Sequence, residues 1–363
     1  MAEDSAATDP EEERFYGDLE RGHLAPLWKI LGQLAPRTPS PRARAHLWRW
    51  KDVLPLIEES GSRFALSGGE RRVLGVINPG FENKWAATET LWAAYQYILP
   101  GENAPAHRHS AAAIRFIIEG EGAYTTVEGD RCILDRGDFV FTPPWTWHDH
   151  GNDSERPVIW MDGLDIPLVA EMDASFFEPI GDHPAPAPKP KEDSESRYGS
   201  GALLPAWREP AGAVSPLLLY KWAQTEEALR RLARVDASPF DDVAMEYVNP
   251  TTGGPVLPTM ACWIQLIRPG VRTRAHRHTS SAVYLAAEGR GESVIGGVRF
   301  AWERGDMFAV PSWLWHEHAA AEGEEGILFS IHDTPVMKSL GLYIEEALGE
   351  GNGHQEAPSV FGG

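Results

Sequence analysis

The apolar positions of this chain fall mostly in short runs of Val, Ile, Phe, Tyr and Trp, separated by turns that contain Gly, Asp or Pro. Between about Arg71 and Asp165 these runs include TLWAAYQYILPG, IRFIIEGEGAYTTVEGD and RGDFVFTPPW, and a second block of the same kind covers about Cys262 to Asp333. Short apolar runs bounded by turn residues are typical of antiparallel β-strands. The pattern therefore predicts an all-β protein with two β domains.

The segments outside the two blocks have different patterns. The N-terminal region combines an acidic tail with Pro-punctuated apolar stretches that predict helices, and TEEALRRLARV predicts one amphipathic helix between the blocks. The stretch IGDHPAPAPKPKEDSESRYGSG is polar and rich in Pro, which favours a flexible linker or lid. We expect five regions: an acidic tail with a helical arm (1–65), a first β domain (66–172), a linker or lid with a helix (173–240), a second β domain (241–345) and a flexible tail (346–363).

Two phrases of the first block return in the second. DRGDFVFTPPWTWHDH, which begins at Asp135, corresponds to ERGDMFAVPSWLWHEH, which begins 168 residues later at Glu303. PGENAPAHRHS likewise corresponds to PGVRTRAHRHT. A repeat of this length exceeds a solenoid unit and indicates a duplicated domain, and each copy suits a small closed barrel or jelly roll.

The composition excludes several kinds of partner. The chain has 33 basic and 53 acidic residues, and this excess of negative charge disfavours binding to nucleic acid. The apolar runs are too short to span a bilayer, and the acidic N-terminus does not resemble a signal peptide, so we expect a cytoplasmic protein. Only seven of the basic residues are Lys, which fits either a salt-adapted surface or an Arg-biased genome.

Eight of the thirteen histidines form two sets with nearly the same spacing. Residues two apart on a strand face the same side, so each His-x-His presents two imidazoles together, and a third from a neighbouring strand completes a three-nitrogen metal site. Three neutral imidazoles without a thiolate suit Fe, Zn, Ni or Cu. The predicted metal ligands are His107, His109 and His148 in the first half, and the candidate ligands of a second metal are His276, His278 and His316.

Arg115 is a candidate anion-binding residue in the first half of the chain. If it shares one strand with His107 and His109, the even spacing turns all three side chains into the barrel. A buried Arg needs a partner, which is either an anionic ligand or a carboxylate from another strand. Tyr284 occupies the aligned position in the second half, so the candidate is confined to the first.

These motifs resemble those of the cupins. The chain departs from the general cupin pattern by having Ala113 and Ile114 where a Glu ligand usually stands, which leaves a three-His site as in ring-cleaving cupins. The resemblance implies a bicupin, with two double-stranded β-helix (jelly-roll) barrels, a helical N-terminal arm and short connecting helices. The matching positions are Gly101, His107, His109, Gly137, Pro143, His148 and Asn152, repeated at Gly270, His276, His278, Gly305, Pro311 and His316.

Longer phrases are similar to the family of gentisate 1,2-dioxygenase, which includes salicylate and 1-hydroxy-2-naphthoate dioxygenases. These phrases are APAHRHSAAAIRFIIEGEGAYTTVEGD, FTPPWTWHDHGN, WMDGLDIPLV and YVNPTTGGPVLPTM. The resemblance implies an enzyme with one Fe(II) per subunit in the N-terminal barrel, usually a homotetramer. Such an enzyme uses O2 to open the ring of a small aromatic hydroxy acid, and with gentisate the product is maleylpyruvate.

The resemblance also implies roles for individual residues. His107, His109 and His148 would hold iron, and Arg115 would bind the substrate carboxylate. His150 shares the inward face of His148 and would assist the reaction, or would be a structural tie, since His318 repeats it. The positions that match the family's substrate pocket are Arg71, Trp92, Gln96 and Asp162. A twin of Gln96 at Gln265 leaves open a purely structural hydrogen bond there.

Three alternatives stay open from the sequence. Within the family, salicylate or 1-hydroxy-2-naphthoate could replace gentisate as the substrate. Outside it, a metal-dependent cupin isomerase would use the same barrel, although it usually keeps the missing Glu. A non-catalytic bicupin that binds a small ligand would explain the duplication, but would not explain two intact sets of three histidines.

Overall fold

The computed structural model describes residues 9–64, 72–180, 185–201, 203–207 and 212–362. The chain divides into two units, Met1–Ser40 and Pro41–Gly363. In the first unit, helix α1 (Pro10–Arg21) is followed by helix α2 (Leu27–Leu34). The carboxylate of Asp9 accepts from the backbone N–H of Glu11 at 3.0 Å, and Pro10 opens the helix, so α1 has both a side-chain cap and a favourable first residue.

The first part of the larger unit is a barrel of two antiparallel sheets. Along this part of the chain the elements are β1 (His46–Trp48), α3 (Trp50–Arg63), β2 (Val73–Gly75), β3 (Trp92–Ile98), β4 (Asn103–His109), β5 (Ala113–Glu119), β6 (Glu121–Val127), β7 (Asp130–Asp135), β8 (Phe139–Thr142), β9 (His148–Asn152), β10 (Val158–Leu164), α4 (Ile166–Glu171), β11 (Phe177–Pro179), α5 (Asp193–Tyr198), β12 (Leu219–Tyr220) and α6 (Trp222–Leu232). One sheet has the strand order β12-β8-β5-β10-β3-β2, and the other has the order β11-β4-β9-β6-β7, whereas β1 pairs with residues 307–309 of the second barrel. The predicted all-β architecture is therefore confirmed.

The second barrel repeats this plan in one continuous sheet. Its main path runs β13-β14-β20-β16-β19-β15-β21, because the long strand β16 crosses from one wall of the barrel to the other. In the first barrel the corresponding strands β5 and β6 are separate and meet at Gly120, which has a φ of 96°. The elements are β13 (Val243–Glu246), β14 (Ala261–Ile267), β15 (His276–His278), β16 (Ala282–Ile295), β17 (Val298–Glu303), β18 (Met307–Val310), β19 (His316–Ala320), β20 (Gly326–His332), α7 (Thr334–Ser339), β21 (Glu345–Ala347), the 3-10 turn Gly351–Gly353 and β22 (Ser359–Val360).

The repeated Arg-Gly-Asp triplet has the same structural role in both barrels. The Asp138 carboxylate accepts from the backbone N–H of Trp222, the first residue of α6, at 2.8 Å, and Asp306 accepts from Trp50, the first residue of α3, at 2.6 Å. Each carboxylate thus caps a helix that is distant in sequence. The glycine before it has a positive φ and packs directly against the same Trp ring, so a side chain there would collide.

The segments between and after the barrels are bound to barrel surfaces. The Asp130 carboxylate accepts from the backbone N–H groups of Asp193 and Ser194 at 2.9 Å each. The sequence predicts a flexible tail for 346–363, but in the structure β22 pairs with β17, and the backbone N–H of Gln355 donates to Glu317 at 3.0 Å. These contacts with the barrel, together with the pairing of β21 with β15, give the tail its regular structure.

A shared aromatic core joins the two barrels. The ring of Phe329 on β20 lies 4.4 Å from the ring of Phe116 on β5 and 5.7 Å from that of Phe139 on β8, measured between centroids. All three side chains are buried. The two barrels therefore meet in one apolar core, to which Phe116, Phe139 and Phe329 all belong.

Replacing Phe329 with Ala should lower the free energy of unfolding by about 3–5 kcal/mol, because it removes a buried ring and leaves a cavity between the barrels. Urea denaturation followed by tryptophan fluorescence measures this change. Leu56→Ala, at an exposed position of α3, is the matched control, and it should change the same free energy by less than about 0.5 kcal/mol. Equal effects of the two substitutions would contradict a shared core.

The structure also describes the thiols and bears on membrane insertion. Cys132 and Cys262 are both buried and form no disulfide. Within the described ranges, no helix is both long and apolar enough to cross a bilayer.

Candidate metal centre and its cavity

The first set of histidines comes together at one end of the first barrel. His107 and His109 lie on β4, and His148 begins β9, directly opposite His107 in strand register. The ring centroids are 4.2 Å apart for His107 and His148, 4.8 Å for His109 and His148, and 5.5 Å for His107 and His109. The spacing argument made from the sequence therefore places three imidazoles around one point.

Hydrogen bonds to the backbone fix the tautomer of all three rings. The Nδ1 atoms of His107, His109 and His148 lie 2.8, 2.7 and 2.8 Å from the carbonyl oxygens of Pro105, Ala111 and Thr146. A carbonyl oxygen can only accept, so each Nδ1 carries the proton and each Nε2 carries the lone pair. This arrangement, in which one ring nitrogen donates to a backbone carbonyl, is the usual support of a metal-ligating histidine.

His148 fits a metal ion in two further respects. Its Nε2 atom is buried and has no hydrogen-bond partner among the residues that the structure describes, which calls for a ligand at that point. Burial lowers the pKa of His148 well below its ordinary value of 6.5, and nearby His107 and Arg115 lower it further. The ring is therefore neutral at pH 7 and able to bind a metal.

His150 also lies close, but its nitrogens are committed elsewhere. One nitrogen from each of His107, His148 and His150 lies within 4.8 Å of the others, so distance alone would admit His150 as a ligand. Its Nε2 lies 2.9 Å from Nη2 of Arg115, which can only donate, and its Nδ1 lies 3.1 Å from the Thr125 hydroxyl. The Nε2 lone pair of His150 therefore points at Arg115, whereas Nδ1 of His109 is held by a backbone carbonyl and leaves its Nε2 lone pair for a ligand.

Arg115 reaches the same interior from the opposite sheet. The condition of one strand shared with His107 and His109 is not met, because β4 ends at His109 and the chain turns before β5 begins at Ala113. Arg115 nevertheless points inward and is 2% exposed. The even spacing predicted the correct inward face of Arg115, although the three residues do not share one strand.

The guanidinium of Arg115 is held by three neighbours. Its Nε lies 3.3 Å from Oδ1 of Asp162, its Nη1 donates to the Thr142 hydroxyl at 2.9 Å, and its Nη2 meets His150. Asp162 stands directly opposite Arg115 in strand register and also accepts from the indole of Trp160 at 3.1 Å. Asp162 is therefore a carboxylate partner from another strand, which is one of the two kinds of partner that the sequence predicts for Arg115.

A cavity of about 370 Å³ opens beside the histidines and the guanidinium. Its polar lining includes His109 and Arg115, and most of its remaining wall is apolar. This volume and this lining suit a single substituted aromatic ring with one anionic group. Of the predicted pocket residues, Trp92, Gln96 and Asp162 line the cavity, whereas Arg71 lies outside the described residues.

The sequence argument missed the aromatic wall of this cavity. Phe176 and Phe177 line it, and the Phe177 ring stacks on His107 at 5.3 Å between centroids. Phe177 lies on β11, which pairs with β4 so that Phe177 faces His109. In the sequence, these two residues are only an adjacent aromatic pair in a polar segment. Their place in the cavity follows from the pairing of β11 with β4, two strands that are far apart in the sequence.

The second set of histidines forms a similar cluster in the other barrel. His276 and His278 lie on β15, His316 begins β19 opposite His276, and one nitrogen from each lies within 4.8 Å of the others. Gln265, the twin of Gln96, donates to the carbonyl oxygen of Asp241 at 2.8 Å. Its role is structural, whereas Gln96 faces the cavity.

Two β-barrels in tandem, each with three clustered imidazoles, define the protein as a bicupin with metal-binding potential. The family model of the cupin domain matches residues 94–166 and 263–332, one match in each barrel.

Comparison with known proteins shows which bicupins this chain is similar to. The chain is 41% identical to 5-aminosalicylate 1,2-dioxygenase of Comamonas sp, over 99% of this chain and 96% of that protein. It is 40% identical to gentisate 1,2 dioxygenase 1 of Aquipseudomonas alcaligenes, over 93% of this chain and 97% of that protein. The crystal structure of salicylate 1,2-dioxygenase from Pseudoaminobacter salicylatoxidans with gentisate superposes with a TM-score of 0.90 at 37% identity, covering 96% of both chains. The chain belongs to this family of ring-cleaving dioxygenases, as the sequence motifs predicted.

Proposed function

We propose that the protein is an Fe(II)-dependent gentisate 1,2-dioxygenase that converts gentisate and O2 to maleylpyruvate. The observation that carries the proposal is that His109 and Arg115 line one cavity, so a metal and a carboxylate can be held beside the same ring. The proposed iron ligands are the Nε2 atoms of His107, His109 and His148. Bound Fe(II) would supply the activation of O2, which no protein side chain provides.

Arg115 orients the substrate in this proposal. Its guanidinium lines the cavity and would pair with the ring carboxylate through charge-assisted hydrogen bonds. The carboxylate of Asp162 lies beside the guanidinium, fixes its position and partly neutralises its positive charge. A substrate carboxylate would therefore bind well only if it also contacts the metal. Holding the ring at both points supplies orientation, which contributes much of the rate enhancement in reactions of this type.

The apolar wall would pack against the reacting ring and displace water from it. Trp92, Leu164 and Phe177 line the cavity, and Phe177 covers the His107 ring. Desolvation strengthens the pairing between Arg115 and a carboxylate. A metal-dependent isomerase for sugars would require a polar cavity instead, and this lining disfavours it.

His150 acts through Arg115 in this account. Its neutral ring donates from Nδ1 to Thr125 and accepts from Arg115 at Nε2, which fixes the direction of the guanidinium. We therefore assign His150 a positioning role.

Replacing His150 with Leu should raise KM for gentisate by about tenfold or more, because a buried donor of Arg115 loses its acceptor. Steady-state oxygen uptake measures KM and kcat separately. The matched control is His318→Leu at the repeated position of the second barrel, which should leave KM unchanged. A change confined to the pH dependence of kcat would instead assign His150 a role in moving a proton, against the proposal.

Oxygen uptake tests the proposed reaction. Protein loaded anaerobically with Fe(II) should consume O2 with gentisate, and the absorbance of a ring-opened product should rise in parallel. The similarity to the Comamonas enzyme makes 5-aminosalicylate the second candidate substrate, since it differs from gentisate only by an amino group in place of the 5-hydroxyl. Salicylate and 1-hydroxy-2-naphthoate complete the panel. Iron-loaded protein that consumes no O2 with any of the four would support the isomerase or the ligand-binding alternative.

We also propose that the protein is a cytoplasmic homotetramer, as the family resemblance implies. Light scattering coupled to size-exclusion chromatography should give four times the chain mass of 40.1 kDa.

A further inference from the structure

One peptide group connects His109 to a buried carboxylate. The carbonyl oxygen of Ala111 accepts from Nδ1 of His109 at 2.7 Å. The N–H of the same peptide group belongs to Ala112, and it donates to Oδ1 of Asp165 at 2.8 Å. Because a peptide group is planar and rigid, the carboxylate that holds its N–H end also fixes the direction of its carbonyl end. Asp165 thus acts on the ring of His109 through two hydrogen bonds in series.

A second peptide group connects His148 to another carboxylate. The carbonyl oxygen of Thr146 accepts from Nδ1 of His148 at 2.8 Å. The N–H of that peptide group belongs to Trp147, and it donates to Oε1 of Glu128 at 2.6 Å. Two of the three proposed iron ligands therefore share one arrangement, in which a carboxylate, a peptide group and an imidazole form a chain of hydrogen bonds.

Asp165 is held in this position from the second barrel. Its Oδ2 accepts from the hydroxyl of Thr259 at 2.6 Å, and Asp165 is 3% exposed. Although Asp165 stands at the N-cap of α4, its side chain makes no capping hydrogen bond to that helix in the described part of the chain. The carboxylate is therefore committed to the turn beside His109 rather than to its own helix.

The backbone at Glu128 indicates that its side chain has a role. Glu128 has a φ of 47°, in the left-handed region that glycine adopts most easily. Gly296, with a φ of 57°, takes the corresponding place in the second barrel, directly after β16. A glutamate in this conformation costs conformational energy, and the bond from Trp147 to its carboxylate offsets that cost.

The second barrel repeats only the chain that contains the aspartate. Oδ1 of Asp333 accepts from the N–H of Ser281 at 2.7 Å, and the carbonyl oxygen of Ser280 lies 2.8 Å from Nδ1 of His278. Gly296 has no carboxylate with which to complete the other chain. The pair of chains is therefore a feature of the barrel that contains the cavity, and Asp333 provides a matched control.

We propose that Asp165 and Glu128 are positioning residues of the metal site in the first barrel, where each carboxylate acts through one peptide group on one histidine. A carboxylate at the end of such a chain polarises it, so the Nδ1 proton is drawn toward the carbonyl oxygen and electron density rises at Nε2. His109 and His148 would then bind a metal more tightly and in a fixed direction. This inference rests on the proposed function only in taking these two histidines as metal ligands.

Zinc affinity tests the proposal without the reaction. The background His276→Ala/His316→Ala removes the second cluster, and competition with a chelating dye gives the dissociation constant for Zn(II) at the first. Asp165→Asn keeps the shape of the side chain but removes its charge, and it should raise the dissociation constant about tenfold or more. Glu128→Gln should raise it about two- to fivefold, because water screens this exposed carboxylate. Asp333→Asn, the same change in the second barrel, should leave it unchanged.

Steady-state oxygen uptake at saturating Fe(II) gives a second readout, in protein with an intact second barrel. Asp165→Asn should lower kcat with gentisate about tenfold and leave KM unchanged, because Arg115 is untouched. An equal loss of kcat in Asp333→Asn would assign both aspartates a purely structural role and would overturn the proposal.

The outcomes separate this inference from the proposed function. A background protein that binds no zinc would overturn the metal ligands of the proposed function, and this inference with them. Tight zinc binding that neither Asp165→Asn nor Glu128→Gln weakens would overturn this inference alone. Glu128 is exposed, so its variant decides the question even if Asp165→Asn does not fold.

Discussion

Replacing His148 with Ala should lower ring-opening activity by about 10³-fold or more, since metal activation of O2 contributes several kcal/mol to the reaction. His148 is fully buried, its Nε2 atom lacks a hydrogen-bond partner among the described residues, and its ring lies within 5 Å of both other members of the triad. The measurements are oxygen uptake with gentisate and the metal content of the same preparation.

The second barrel supplies the control for this substitution. His316 occupies the same place as His148, is equally buried and is also held by a backbone carbonyl. His316→Ala should therefore damage the fold to a similar degree while keeping most of the oxygen uptake. If His316→Ala abolished activity and His148→Ala did not, the catalytic centre would be assigned to the wrong barrel.

Replacing Arg115 with Met should lower kcat/KM for gentisate by about 10²- to 10³-fold, because the substrate carboxylate loses its charge-assisted hydrogen bonds. The same substitution should lower the free energy of unfolding by about 3–5 kcal/mol, since Asp162 becomes a buried carboxylate without its cation. Steady-state kinetics and urea denaturation measure the two effects separately.

The double variant Arg115→Met/Asp162→Asn separates binding from stability. The neutral amide that replaces the Asp162 carboxylate would not need a cation, so most of the lost stability should return, while kcat/KM should stay low. Recovery of kcat/KM together with stability would show that Arg115 is only a partner of Asp162, and would remove it from the substrate site.

The clustering of the histidines was predictable because its information is local. His-x-His on a strand brings two imidazoles together by pleat geometry alone, and a third histidine at nearly the same distance in each half indicates one design. The structure adds the hydrogen bonds that separate His109 from His150, because Nδ1 of His109 meets a backbone carbonyl and Nε2 of His150 meets Arg115. No spacing rule contains that distinction, because it depends on where Arg115 lies.

The rest of the site depends on pairings between distant strands. Asp162 meets Arg115 because β10 lies beside β5, and Phe177 meets His107 because β11 lies beside β4. A turn of three residues separates β4 from β5, so the alternation that predicts an inward Arg115 does not run through it. The structure of the C-terminal tail also depends on contacts distant in sequence, because β22 pairs with β17 and Gln355 donates to the Glu317 carboxylate.

Comparison of the two barrels suggests how duplication divided their roles. Both retain three histidines, a helix-capping Asp and the tight glycine before it. The first barrel combines Arg115 with an apolar cavity, and the second has Tyr284 and Glu345 at the corresponding places. The clustered histidines are therefore common to both barrels, whereas the residue at the position of Arg115 differs.

We propose the triad and Arg115 of the first barrel as a ring-cleaving dioxygenase site. The most direct test mixes Fe(II)-loaded protein with gentisate under a known amount of O2 and follows oxygen uptake and product mass together. The account predicts one O2 consumed for each gentisate, and a product that gains the mass of one O2 molecule. A product of unchanged mass, or no oxygen uptake by protein shown to contain iron, would contradict it.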